Sequence, residues 1–103
     1  MAAFKINSKN EIETTDDVKK NIETLNAFLA YGGEEIEIKL NGKLYGAQNG
    51  RLLETLNFCL SILKTEDDYI RFKCSNGFDA QVYYSIFTDT DGEEIKELVL
   101  NLY

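Results

Sequence analysis

The chain of 103 residues contains no histidine, and that single absence removes a large block of familiar chemistry. A Ser-His-Asp or Cys-His nucleophile system cannot be assembled, and the commonest general base at neutral pH is missing. The two cysteines, Cys59 and Cys74, lack CxxC spacing, so a zinc site would have to be built almost entirely from carboxylates. Both cysteines are expected to be buried free thiols. No GxxxxGK[ST] or GxGxxG stretch supplies a phosphate-cradling loop. No apolar run approaches the ~18 residues needed to cross a bilayer, and the amino-terminal MAAFKINSKNEIE lacks the apolar core of a signal peptide. These absences lead us to expect a non-enzymatic, cytoplasmic protein without cofactor or metal and without membrane contact.

What is present describes an ordinary globular chain. The apolar fraction is 44% and the aromatic fraction 12%, well above the composition of disordered proteins. A chain of this length forms one domain, residues 1–103, that can bury a core without covalent staples. Acidic residues number 18 against 11 basic ones, a net charge of −7.

Periodicity divides the chain. Residues 3–7 alternate Phe4 and Ile6 inward with Lys5 outward, as a short strand does. From Thr15 onward, Val18, Ile22, Leu25 and Leu29 fall on one helical face. Thr14 or Thr15 can cap that helix, Asp16 and Asp17 suit its positive end, and Gly32-Gly33 offers a stop. Next, EIEIKLNGKLYGAQ alternates on both sides of Asn41-Gly42, the strongest short hairpin signal. Residues 51–64 then place Leu52, Leu56, Cys59, Leu60 and Leu63 on one stripe, flanked by Leu53 and Ile62, which predicts a helix covered on more than one side. Phe58 lies off the stripe, placed to touch the first helix or an outside partner.

In the last third, Ser75-Asn76-Gly77 and Thr90-Asp91-Gly92 both suit three-residue turns that end in a left-handed glycine. If both are such turns, the pairing register follows. Cys74 faces Phe78, Phe72 faces Ala80, Ile70 faces Val82, Lys73 faces Asp79 and Arg71 faces Gln81. Across the second turn Tyr84 faces Leu98, Val82 faces Leu100, Ala80 faces Leu102, Phe87 faces Ile95 and Tyr83 faces Val99. Apolar residues meet apolar ones throughout, as a correct register requires. Ile95, Leu98, Val99 and Leu102 also fit a helical stripe, but the Asp-Gly turn, the paired register and the β-leaning LVLNLY favour a strand. The expected fold is α+β: a meander of strands 69–74, 78–88 and 93–103, with an N-terminal strand and the Asn-Gly hairpin, packed on two helices.

Two candidate surfaces emerge. The second sheet face carries Tyr83, Phe87, Ile95, Val99 and Tyr103, more apolar than a wholly solvated face. It reads either as a contact surface or as cross-strand pairs that steady the sheet or lie under the N-terminal segment. The other surface is acidic: Glu66, Asp67 and Asp68 in one group, Asp89, Asp91, Glu93, Glu94 and Glu97 in another. The second group is not a calcium loop of the EF-hand type, because setting Gly92 at loop position 6 puts Phe87 at position 1 and Leu98 at position 12.

Carboxylates can stand in for phosphates, since arginine forks pair with either. A small, acidic, catalytically bare domain with aromatic residues beside such an edge has the profile of DNA-mimic inhibitors, including phage anti-restriction and anti-CRISPR proteins, and of immunity proteins of nuclease toxins. That is a likeness of type, carried by no motif. It implies an anti-defence or immunity inhibitor whose partner is a basic protein, a nuclease or another nucleic-acid-binding protein, without direct contact to nucleic acid. Those eight acidic residues, with Tyr83 and Phe87 as apolar anchors, are the candidate partner-binding set. The alternative is a self-associating structural module, a homodimer through the aromatic sheet face or an edge strand. The order of elements over residues 3–74 also resembles that of the phosphocarrier protein of the sugar phosphotransferase system. The resemblance is one of topology only, for the phosphorylated histidine of that family has no counterpart here.

Overall fold

A computed structural model describes residues 2–28, 35–40, 43–49, 52–73 and 79–102. The elements run β1 (Ala2–Lys5), α1 (Asp16–Phe28), β2 (Glu35–Leu40), β3 (Lys43–Asn49), α2 (Leu52–Ile62), β4 (Ile70–Lys73), β5 (Asp79–Thr88) and β6 (Glu94–Leu102). The fold is α+β. All six strands join one antiparallel sheet in the order β1-β6-β5-β4-β2-β3.

The meander has the register that its sequence predicts. Ile70 pairs with Val82 and Phe72 with Ala80, while Val82 pairs with Leu100, Tyr84 with Leu98 and Phe87 with Ile95. Residues 94–102 are therefore a strand, and the helical stripe over them is a coincidence of spacing. The first predicted turn, with Cys74 and Phe78, lies outside the described residues, as do the Asn41-Gly42 turn, Leu29 and Gly32-Gly33. The strands that Asn41-Gly42 would join do pair, Leu40 opposite Lys43, with a register shift between Glu37 and Lys39.

One face of the sheet and both helices enclose a single core. Phe4, Ile70, Phe72, Ala80, Val82, Tyr84, Leu98 and Leu100 point into it from the strands, Ile22 from α1, and Leu52, Leu56, Cys59 and Leu60 from α2. The α2 stripe is thus buried as its spacing requires, together with Thr55, a polar residue on the same face. Phe58 is half-buried against this core. Burial pushes the Cys59 thiol up to about 12, partly offset by a backbone hydrogen bond, which leaves it an inert packing group at neutral pH.

Two contacts between elements, those of Asn26 and Asn57, have no local sequence signature. Thr15 Oγ1 caps α1 by accepting from the Val18 amide at 3.3 Å, whereas α2 receives its cap from another helix: Asn26 Oδ1 accepts from the Leu52 amide at 2.9 Å. Asn57 Oδ1 accepts from the Ile12 amide at 3.1 Å and so holds the N-terminal segment against α2. That segment reverses through Asn7–Asn10, where Asn7 Oδ1 accepts from the amides of Lys9 and Glu11 and Asn10 takes a φ of 60°, which asparagine tolerates. The reversal pairs Ile6 with Ile12 and buries both.

Candidate functional site

The two acidic groups lie at the same end of the sheet. The hydrogen bond that brings them there runs from the Ile86 amide to Glu66 Oε1, at 2.8 Å. In β5 the odd-numbered residues exchange backbone hydrogen bonds with β6, as the bond from the Asp89 amide to the Glu93 carbonyl requires. The even-numbered ones face the other way, toward β4. But β4 reaches only as far as Val82, so the outward amide of Ile86 would have no strand to receive it, and Glu66 takes that place. Ile86 and Asp89 are three residues apart, about 10 Å along a strand, so the 65–68 loop sits beside the tip of the β5–β6 hairpin.

Within this end the candidate acids have different roles. Asp68 Oδ2 accepts from the amides of Lys64 and Thr65 at 3.2 and 3.3 Å and closes the turn after α2. Asp89 Oδ1 accepts from the amides of Asp91 and Glu93, both at 2.9 Å, and shapes the hairpin tip. Gly92 completes that three-residue turn with a φ of 80°, the left-handed glycine that the sequence predicts. Glu66, Asp68 and Asp89 are thus committed to the backbone. Asp67, Asp91, Glu93 and Glu94 are exposed. Glu97 stands apart, half-buried on the outer sheet face with Ser85 on one side and Lys5 on the other.

The apolar candidates divide as well. Phe87 is 44% exposed. Tyr83 and Ile95 are half-buried, and Val99 retains only 7% of its surface. The N-terminal segment does not lie over this face. It adds β1 edge-on beside β6, with Ala3 opposite Val99, and Val99 is flanked in the sheet by Ala3 and Tyr83. Tyr103 is outside the described residues.

An unexpected member is Ile86. The alternation that buries Val82 and Tyr84 places it on the inner face, yet it is 37% exposed. Length explains this. The 11 residues of α2 span about 16 Å, whereas the 10 residues of β5 span about 33 Å, so the helix cannot cover the whole strand. The hairpin therefore projects past the helical layer with an apolar side chain bare on each face, Ile86 inside and Phe87 outside.

Beneath Ile86, Tyr84 closes the core, with Lys96 Nζ over its ring at 4.8 Å from the centroid. Burial raises the Tyr84 phenol above its ordinary range, and the nearby carboxylates of Asp68 and Glu66 raise it further. Tyr84 is thus a neutral hydroxyl at physiological pH. Among the described residues no three acidic or cysteine side chains converge as a metal-binding group, and no helix is long and apolar enough to cross a membrane. No family model matches this chain, and neither does any curated protein or solved structure.

Proposed function

We propose that this is a non-catalytic acidic binding protein that inhibits a basic nucleic-acid-binding protein, of which a nuclease is the leading case, by occupying the groove that would otherwise hold a phosphate backbone. The observation that carries this is the bond between Glu66 and Ile86, which sets the acidic 65–68 loop beside the acidic tip of the projecting hairpin. Asp67, Asp91, Glu93 and Glu94 supply unshielded carboxylates for arginine forks, and Phe87 and Ile86 supply apolar anchors between them. The net charge of −7 steers a basic partner in and keeps nucleic acid itself away.

The test is capture from a lysate of host cells at low salt, followed by elution with duplex DNA or with a salt gradient. A nucleic-acid-binding protein should elute with either and should be absent when the bait carries Asp91→Asn, Glu93→Gln and Glu94→Gln. These substitutions leave the Asp89 side chain that shapes the turn in place. Retention indifferent to salt and to duplex DNA would remove the electrostatic basis of the proposal.

The pairing of exposed Phe87 with Ile95 favours a second reading, a homodimer through the outer sheet face. It predicts a mass that rises with concentration in light scattering and falls back on Tyr83→Lys. A strict monomer at high concentration dismisses it.

A further inference from the structure

The free edge of β5 has a chemistry of its own, independent of any basic partner. Residues 82–88 read VYYSIFT. They contain no charge, no proline and no glycine, and they are rich in β-branched and aromatic side chains, the composition of segments that stack into self-paired sheets. In most proteins such a strand is buried in the middle of a sheet. Here β6 covers one edge of the whole segment, but β4 covers the other edge only up to Val82, and among the described residues no strand pairs with that edge beyond it. The outward backbone groups of Tyr84, Ile86 and Thr88 therefore form a short template for another strand.

We propose that Glu66 is a plug over this edge, and that the occupant it excludes is a second copy of the same chain, paired antiparallel through residues 84–88. Its carboxylate takes the central outward amide, that of Ile86. An antiparallel pair centred there would set Ile86 against its own copy and Tyr84 against Thr88, with no like charges opposed and with apolar Ile86 side chains adjacent.

The loop that carries Glu66 is built to hold it in position. Asp68 Oδ2 accepts from the amides of Lys64 and Thr65. The Asp67 amide donates to Thr65 Oγ1 at 3.2 Å, and the Asp68 amide donates to the Thr65 carbonyl at 3.2 Å. Four local bonds thus fix the loop that delivers the Glu66 contact. A glutamate suits the position because it satisfies the amide as a strand would, while adding a charge that a neighbouring strand would have to desolvate.

Purified protein alone tests this, by sedimentation velocity across a concentration series and by hydrogen exchange at the Ile86 amide. Glu66→Ala should raise the weight-average mass toward twice that of wild type at the upper end of the series, and at low concentration its Ile86 amide should exchange faster. Glu66→Gln keeps an acceptor oxygen and should retain more of the amide protection than Glu66→Ala. Adding Ile86→Lys to Glu66→Ala should restore the wild-type mass by setting like charges opposite one another. If Glu66→Ala keeps the wild-type mass at every concentration while circular dichroism shows it folded, the plug is refuted. If it associates and Ile86→Lys does not reverse this, the edge is the wrong surface. Tyr83→Lys, which acts on the sheet face, should leave the Glu66→Ala association unchanged.

Discussion

The two halves of β5 share one alternating pattern and differ in almost everything else. Ala80 to Val82 run between β4 and β6, and Ala80 and Val82 are fully buried. Ser85 to Thr88 run beside β6, with no strand on their other edge among the described residues, and Ile86 and Phe87 are exposed. The same alternation therefore produces a core in one half and an uncovered hairpin in the other. Alternation establishes which side a residue faces, and only the length of what lies opposite establishes whether that side is covered.

Substitutions in the two halves should separate most clearly in stability. Ile70→Ala, opposite Val82 in the enclosed half, should cost about 2–5 kcal/mol, a large share of the total for a domain of this size. Phe87→Ser in the bare half should change stability by no more than about 0.5 kcal/mol. Urea denaturation of the pair decides the matter, and a Phe87→Ser cost equal to that of Ile70→Ala would abolish the distinction. A smaller effect sharpens the boundary at the tip. Asp89→Ala leaves two amides without their acceptor and should cost about 1 kcal/mol, whereas Asp91→Asn should leave the melting temperature where it is. Gly92→Ala should cost about 1 kcal/mol too, because its φ of 80° strains any residue with a Cβ.

The smallest predicted effect concerns Tyr84, at the border between the halves. Its phenol holds its proton more tightly in the folded protein than in the unfolded chain. The associated stability is complete below the ordinary phenol range, near pH 10, and is lost as pH rises above it, because the unfolded chain releases that proton first. Denaturation compared between wild type and Tyr84→Phe should show a steeper decline for wild type above about pH 10. Glu66→Gln should reduce that difference; a Glu66→Gln decline identical to that of wild type would deny the influence of the Glu66 carboxylate, and a Tyr84→Phe decline identical to that of wild type would deny the linkage itself.

Most of the frame was legible in the sequence because it rests on local pattern. The register of the meander followed from two turns and the demand that apolar residues face one another, and the α2 stripe from its spacing. What was not legible consists largely of side chains that accept from distant backbone amides. Asn26 and Leu52 lie 26 residues apart, Asn57 and Ile12 lie 45 apart, and Glu66 and Ile86 lie 20 apart. Such bonds leave no period behind them. The candidate site suffered most, since counting acids could not distinguish Asp89, which builds the turn, from Asp91, which only decorates it.

The pairing of β1 with β6 has a consequence in time. Ala2 to Lys5 meet partners that follow them by roughly 95 residues, and a ribosome adding about 5–20 residues per second delivers those partners some 5–20 seconds later. Phe4, among the most deeply buried side chains of the finished protein, waits that long for β6, its strand partner among the described residues. Shortening β6 past Leu98 should therefore leave Phe4 without its strand partner, more than 90 residues away in the chain.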